Sequence, residues 1–494
     1  MAFYRTIGGS GEGGIDWQRT CLVEDTTNHN YYAGGRGICD DAFISNTTFN
    51  YPVEIGENAI SCVNMFKGCQ SFNQPVNIPS KVENCNSMFS GCTSFNQPIT
   101  LPQNAKNCAW MFNRCANFNQ PIVMPANGIS CEGMFDGCSL FNYPIILPPN
   151  AKNCAFMFSG CVSLNQSIDI PNNVISAYYM FGYCSNLDKR INIGTNVVDC
   201  TDLFNGCSNF NQSVTIPANV VKCAGMFNGC SNFNQSVTIP ANVVDCISMF
   251  NGCSNFNQSV AIPDSVNNCY RMFSGCSNLN QSITYSNNAW ECDYMFNGCT
   301  KFNQSVTIDK ALTCISMFYG CESLNKPVTM GQKIINCRQM FYNCKTFNQP
   351  ITLPATVNDC KNMFYGCNAF NQPVTLGENV IYADRMFFGC RAFNKSVTVG
   401  SNVNNCYGMF WNCVEMNQNI YIKRTTTPFN SVNMLRFHNN LKRINVFCSN
   451  LALINKTTSA TSIVDGAVSW TSMTNGYYNT KYNVYLYNNL PAGI

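Results

Sequence analysis

The chain has 494 residues, a formal net charge of +3 and 11% charged residues, against 46% hydrophobic residues. It can bury a large core but carries no strong basic or acidic field, so we expect no recognition of nucleic acid by charge. No segment approaches the ~20 consecutive apolar residues that span a bilayer, and the first residues lack the basic and apolar regions of an export leader. We therefore expect no membrane insertion and no ordinary export.

Residues 1–38 differ from the rest of the chain. The stretch IGGSGEGGID predicts a flexible tether, and YYAGGRG predicts a second glycine-rich hinge. We predict that this region attaches the protein to an assembly and caps the segment that follows it.

A repeat of 23 residues begins at Cys39 and continues to Lys423. A Met–Phe pair marks each copy from Met65 onward, with Leu203 in place of one methionine. In segments such as VTI two apolar residues flank a polar one, which predicts one short β-strand per copy. Strands that recur once per repeat stack in parallel at ~4.8 Å, so corresponding residues form columns. We predict an α/β repeat solenoid of about 17 repeats over residues 39–423.

Two cysteines recur in nearly every copy, three residues before the Met and four residues after it. Alanine replaces the first cysteine at Ala177 and Ala383 while the second cysteine is kept, so the two are not obligatory partners. We predict two ladders of buried thiols in the core, and disulfides or a metal site remain as alternatives. The only histidines, His29 and His438, lie outside the repeat positions. The ladders include Cys223, Cys230, Cys246 and Cys253.

Two further columns predict turn structure. An asparagine follows the second phenylalanine of most copies, as at Asn234 and Asn257, and stacked asparagines can satisfy backbone groups at the corners of a solenoid. A glycine lies two residues after the Phe of the Met–Phe pair, with Asn343 and Asn412 as replacements. These residue types favour a left-handed backbone position that closes a short helical or 3₁₀ turn.

The repeats resemble the leucine-rich-repeat superfamily in its BspA-like, Treponema-type form. The resemblance rests on the Met–Phe pair, the Cys, the FNQP segment and the strand, as in Met88-Phe89 with Phe95 to Pro98, and it covers about three quarters of the chain. It implies a leucine-rich-repeat-type curved parallel sheet and a role as an adhesin or binding surface. Similar repeats also occur in tail and fibre proteins of phages that infect gut bacteria. The second cysteine column departs from the family, which usually has an aliphatic residue there.

The position after the Phe of the Met–Phe pair becomes aromatic in the last five copies. Stacked at the repeat spacing, these side chains form a continuous aromatic ridge that could hold glycan rings or a partner protein by offering flat apolar area. The alternative is that the ridge packs under the C-terminal tail or a neighbouring subunit. Residues 424–494 leave the repeat and predict a β-rich C-terminal cap or docking domain. The aromatic ridge consists of Tyr319, Tyr342, Tyr365, Phe388 and Trp411.

The sequence offers little support for catalysis. It contains no recurring carboxylate pair, no GxSxG motif and no HExxH motif. We therefore expect a non-enzymatic protein without cofactors, namely a phage virion component of the tail fibre or receptor-binding apparatus that recognises a host cell-surface glycan or protein. It would contact other virion proteins through its ends and could form a homo-oligomer. A bacterial surface adhesin is the alternative, and a polysaccharide depolymerase is a weaker one.

Overall fold

The structure is a computed structural model of the chain, which forms two compact units. Unit 1 comprises Met1–Asp245 and unit 2 comprises Cys246–Ile494. The structure describes the backbone of residues 4–6, 23–25 and 30–33, and in full residues 37–286, 288–436, 442–454, 462–464 and 470–493.

Each copy of the repeat forms one coil of a parallel solenoid in both units. A column of single parallel bridges joins corresponding residues of successive coils, from Ile38 to Asp245 in unit 1 and from Asn268 to Asn430 in unit 2. The predicted solenoid with parallel stacking of its repeats is thus confirmed.

A second parallel ladder is formed by the short apolar segments, which become regular strands in part of the coils. The strands are β1 Tyr4–Thr6, β2 Val23–Asp25, β3 Asn30–Ala33, β4 Val53–Ile55, β5 Ile168–Asp169, β6 Ile191–Asn192, β7 Val260–Ala261, β8 Ile283–Thr284, β9 Val306–Ile308, β10 Val328–Met330, β11 Val397–Val399, β12 Ile420–Ile422, β13 Ile444–Cys448, β14 Thr471–Met473, β15 Gly476–Asn479 and β16 Val484–Tyr487. Unit 1 contains the sheets β1-β2-β3-β4 and β5-β6, and unit 2 contains β7-β8, β10-β9 and β11-β12-β13-β16-β15-β14.

Proline limits how far the strand ladder extends. After β12, the N–H of Lys423 donates a hydrogen bond to the carbonyl of Val399 at 3.0 Å. Most other copies have proline at the position of Lys423, and proline has no N–H to donate. Copies without a regular strand keep the alternation of buried and exposed side chains: Val237 and Ile239 are buried on either side of exposed Thr238.

The Met–Phe segment forms a series of turns rather than a helix. Around Met249, Ser248 has φ 55° and Gly252 has φ 75°, and such left-handed residues interrupt a right-handed helix. The N–H of Phe250 donates to the carbonyl of Met272 in the next coil at 2.9 Å instead of to its own segment. The glycine column is left-handed as expected. Among the described residues the one helix is a 3₁₀ turn at Leu451–Leu453. No helix in this part of the chain is long and apolar enough to cross a membrane.

Two columns of phenylalanine fill the core of each unit. In unit 1 the rings of Phe66 and Phe72 in one coil stack 4.2 Å apart, and Phe66 lies 5.4 Å from Phe89 of the next coil. In unit 2, Phe250 stacks on Phe273 at 5.4 Å. These rings and the adjacent Met and Cys side chains are fully buried or nearly so. The core is therefore a set of continuous columns rather than a cluster of unlike contacts.

The N-terminal region continues the sheet of unit 1. Strand β3 pairs in parallel with β4 of the first coil, and β2 and β1 then add in antiparallel fashion. This arrangement covers one end of the stack, as a solenoid requires. The predicted hinge YYAGGRG is partly a strand, since Tyr31 to Ala33 belong to β3, whereas the predicted tether IGGSGEGGID lies outside the described residues.

The sheet of unit 2 does not break at the predicted boundary after Lys423. Strand β13 pairs in parallel with β12 and with β16, and β15 and β14 follow in antiparallel fashion. A further coil is also present, because Met434 and Leu435 are buried and the N–H of Phe410 donates to the carbonyl of Met434 at 2.9 Å. The longer spacing from Met409 to Met434 conceals this coil in the sequence.

Candidate binding surface

The structure places the two cysteine columns in the core. The four predicted ladder residues are all completely buried, and the described cysteines are thiols rather than disulfides. In the second column the thiol is a hydrogen-bond donor to the preceding coil: Cys230 Sγ donates to the carbonyl of Phe204 at 3.0 Å. In the first column, Cys223 Sγ lies 3.6 Å from the carbonyl of Asp245. The residues Cys223, Cys230, Cys246 and Cys253 therefore contribute to structure.

Burial keeps thiols of both columns protonated. It raises the pKa of Cys69, Cys131 and Cys269 to about 12, with a further contribution at Cys131 from Cys108. Because the thiolate is the nucleophile and the metal ligand, such thiols are unreactive at neutral pH. In the part of the chain that the structure describes, no group of three or more His, Cys, Asp and Glu side chains could hold a metal ion. Both histidines lie outside the described residues.

The asparagine column is a ladder of side chain to backbone hydrogen bonds. The N–H of Asn234 donates to Asn211 Oδ1 at 2.9 Å, and the N–H of Asn280 donates to Asn257 Oδ1 at 2.8 Å. Asp188 has the same role, since its Oδ1 accepts from the N–H of Asn211 at 3.0 Å. The column thus satisfies one backbone donor per coil.

The five residues of the aromatic ridge come together in unit 2. The ring centroids of Tyr319 and Tyr342 lie 4.5 Å apart, those of Tyr342 and Tyr365 lie 4.4 Å apart, and those of Tyr365 and Phe388 also lie 4.4 Å apart. The planes of these pairs differ by 2° to 4°. Trp411 follows Phe388 at 5.1 Å with a tilt of 45°. All five side chains are half-buried.

This stacking decides which part of each ring can meet a partner. Neighbouring rings cover the faces of Tyr342 and Tyr365, so these residues present ring edges and phenolic oxygens rather than flat apolar area. Burial, together with the neighbouring phenols of Tyr365 and Tyr319, raises the pKa of Tyr342 to about 12, so its hydroxyl stays protonated. The expectation that ring faces would hold sugar rings therefore does not fit the interior of the ridge.

The C-terminal region covers one end of the ridge. The guanidinium carbon of Arg436 lies 4.4 Å from the ring centroid of Trp411, at the distance of a cation–π contact. Arg436 comes two residues after Met434, so it occupies the position of the ridge residues in the additional coil. The alternative interpretation, in which the ridge packs under the C-terminal region, thus applies to Trp411.

A second group of aromatic side chains, which the sequence pattern did not reveal, lies in unit 1. We name it the aromatic platform. The ring of Trp110 lies 5.9 Å from Phe156, and Phe156 lies 5.5 Å from Tyr179, which in turn lies 6.1 Å from Tyr183. Three of these residues directly precede a methionine of the repeat, so a comparison of that column between copies would have found them. The platform consists of Trp110, Phe156, Tyr178, Tyr179 and Tyr183.

The repeats match a described sequence family. The family "Mycoplasma protein of unknown function, DUF285" matches residues 39–124, 102–195, 127–218, 194–290, 217–309, 263–353, 286–375 and 335–447. The chain belongs to the DUF285 family. The last DUF285 match continues beyond Lys423, in agreement with the additional coil at Met434.

The DUF285 solenoid is similar to solved leucine-rich-repeat structures. A leucine-rich repeat protein from Bacteroides ovatus is 19% identical, with a TM-score of 0.53, over 78% of this chain and 94% of that chain. A leucine rich cell surface protein from Faecalibacterium prausnitzii is 15% identical (TM-score 0.32, 72% and 92% covered), as is a leucine-rich repeat protein from Eubacterium ventriosum (TM-score 0.38, 74% and 92% covered). No curated protein matches the chain. The predicted leucine-rich-repeat fold is confirmed.

Proposed function

We propose that this DUF285 protein is a non-enzymatic binding protein and that the aromatic ridge of unit 2 is its contact surface for a partner protein at a cell surface. The observation that carries the proposal is the run of half-buried, mutually stacked rings from Tyr319 to Phe388. Tyr and Trp are enriched at the centres of protein interfaces, because they offer large contact areas at a low cost in conformational entropy.

A protein suits the ridge better than a glycan. The ring edges and the hydroxyls of Tyr319, Tyr342 and Tyr365 form a narrow, rigid strip that can enter a groove and exchange hydrogen bonds. Stacking holds each ring in place before the partner arrives, so little side-chain freedom is lost on binding. A sugar ring, in contrast, stacks on an open aromatic face.

We further propose that the protein works on a phage particle, in the tail fibre or receptor-binding apparatus, and docks to the host surface. The buried, protonated thiols of Cys69, Cys131 and Cys269 support synthesis and assembly in a reducing cytoplasm. A bacterial surface adhesin is the alternative setting, which the resemblance to BspA-like repeats favours.

Two experiments test the setting and the surface separately. Mass spectrometry of purified phage particles should detect the protein, and its absence from particles together with labelling on intact bacteria would replace the virion setting by the adhesin setting. Replacing Tyr342 and Tyr365 by Ser should reduce binding to the target cells in either setting. Retained binding would remove the ridge from the proposal.

A further inference from the structure

We propose that the aromatic platform of unit 1 is a carbohydrate-binding site. This inference goes beyond the proposed function, because it assigns a second ligand class to a surface in the other unit and does not depend on the ridge.

The rings of the platform are inclined to one another instead of stacked in parallel. Trp110 and Phe156 are inclined by 39°, Phe156 and Tyr179 by 43°, and Tyr179 and Tyr183 by 65°. Phe156 meets Tyr178 edge to face at 80°. In the ridge, by contrast, neighbouring planes such as those of Tyr342 and Tyr365 differ by 4°. The platform therefore leaves open the ring faces on which the C–H groups of a sugar ring can stack.

Glycines in the neighbouring positions make room for these rings. A Cβ at Gly133 would lie 2.1 Å from Trp110 Cε3, and a Cβ at Gly182 would lie 2.3 Å from Tyr179 Cε1. A Cβ at Gly206 would lie 2.5 Å from Tyr183 Cδ1. The rings of Trp110, Tyr179 and Tyr183 thus lie against glycine backbone, where a side chain would collide with them. Tyr183 is 58% exposed.

One residue of the platform, Tyr183, is kept at a cost to the backbone. Its φ of 59° lies in the left-handed region that favours glycine, whereas Phe156 and Tyr179 share the left-handed conformation that their repeat position has in other coils, as at Ser248. Other copies have Gly160 and Gly206 at the position of Tyr183. An aromatic ring at Tyr183 therefore replaces the glycine of these copies at a backbone cost, and we take this cost as support for a contact with a ligand.

A row of polar side chains lies beside the platform. Ser90 Oγ donates to Asn113 Oδ1 at 3.1 Å, and Asn113 Nδ2 donates to Asp136 Oδ2 at 2.7 Å. Trp110 and Arg114 share a shallow surface groove with Ser90 and Asn113. Sugars carry apolar C–H faces and hydroxyl rims, so an aromatic face next to carboxylate, amide and hydroxyl groups matches both.

Isothermal titration calorimetry of the full chain tests the site, with maltohexaose, cellohexaose, chitohexaose and soluble yeast mannan as probes. At least one probe should bind, and the double variant Trp110→Ser/Tyr183→Gly should weaken that binding by about 25-fold, at about fivefold per ring. Both replacements are residues of other copies at the same positions, Ser87 and Gly160, so the variant should fold. Absence of binding for all four probes would overturn the proposal.

Two further variants distinguish binding at the platform from binding at the ridge and from a general loss of folding. Gly182→Ser keeps every aromatic residue but displaces the ring of Tyr179, and serine already occupies this position at Ser159, so binding should weaken about fivefold with an unchanged Tm. The ridge variant Tyr342→Ser/Tyr365→Ser should bind the probe as the wild type does. Equal binding by wild type and Gly182→Ser, or loss of binding in the ridge variant alone, would contradict the assignment.

Discussion

The Sγ atom of Cys207 donates a hydrogen bond to the carbonyl of Phe181, one coil earlier, at 3.0 Å. The same carbonyl oxygen accepts the N–H of Cys184 at 3.0 Å, so the thiol of Cys207 satisfies the second lone pair of this oxygen inside the core. The bond recurs along both units, for example from Cys115 to Phe89 and from Cys344 to Phe318. It agrees with the presence of alanine in the first cysteine column, at Ala177 and Ala383, and its absence from the second.

Cysteines of the two columns should therefore contribute differently to the free energy of unfolding. Cys207→Ala should lower the free energy of unfolding by about 2 kcal/mol, because it removes both buried volume and the hydrogen bond to Phe181. Cys200→Ala in the same coil should cost about 1 kcal/mol, because only volume is lost and Ala177 already occupies that column. Urea unfolding of the two variants measures the difference. Equal losses would show that the Sγ hydrogen bond contributes nothing.

Stability should fall at alkaline pH. The pKa of Cys69, Cys131 and Cys269 is raised to about 12 in the folded chain, above the ~8.5 of an exposed cysteine. The unfolded chain releases these protons first, so the stabilisation is complete below about pH 8 and is lost as the pH rises from about 8.5 to 12. Scanning calorimetry should find a level Tm up to about pH 8 and a steep decline above about pH 9. A Tm that stays level to about pH 11 would be incompatible with buried, protonated thiols.

Thiol titration provides an independent check on the same columns. Under denaturant without reductant, most of the 33 cysteines should react, and very few should react in the folded protein at neutral pH. A count near zero under denaturant would mean that the cysteines are oxidised.

The asparagine ladder should depend on its acceptor oxygen. Asn211→Ala should cost about 1 kcal/mol, because the N–H of Asn234 and the amide of Gln235 both lose their acceptor. Asn211→Asp should be nearly neutral, since Asp188 fills the same position in the preceding coil and accepts the equivalent bond. Thermal unfolding compares the two variants. If Asp costs as much as Ala, the side-chain amide group is required and the acceptor role is incorrect.

Backbone strain at the platform should be measurable by thermal unfolding. Tyr183→Gly should raise the free energy of unfolding by about 1 kcal/mol, because Tyr183 is left-handed with φ 59°. Gly160→Ala, in the preceding copy with φ 69°, should lower it by a similar amount of about 1 kcal/mol. A stability loss in Tyr183→Gly would show that the ring supports the fold and would weaken the argument for a ligand.

The repeating columns could be predicted from the sequence because a solenoid places like residues next to like. Burial of the cysteines at Cys223 and Cys230, the left-handed turn at Gly229 and the acceptor role of Asn211 all follow from one position repeated many times. The position after the Phe of the Met–Phe pair likewise predicted that the five ridge residues form one continuous row.

Features that depend on side-chain orientation could not be predicted. Spacing alone does not tell that the rings of Tyr342 and Tyr365 lie face to face, nor that Cys230 Sγ points at a carbonyl 26 residues away. The coil at Met434 was missed because two additional residues shift it out of the period. The platform was missed because Trp110 and Phe156 are separated by a coil with Gly133, which looks like an interruption but is the space that the Trp110 ring occupies.

The most direct test of the central claim is the affinity of the ridge variant Tyr342→Ser/Tyr365→Ser for target cells, measured beside its Tm. Asn or Ser occupies this position at Asn251, Ser274 and Asn297, so the variant retains a side chain that the coil accepts. If the ridge is the contact surface, binding should weaken at least tenfold, as expected for the loss of central interface tyrosines, while the Tm changes little. Unchanged binding with a lowered Tm would contradict the account and assign the ridge to packing.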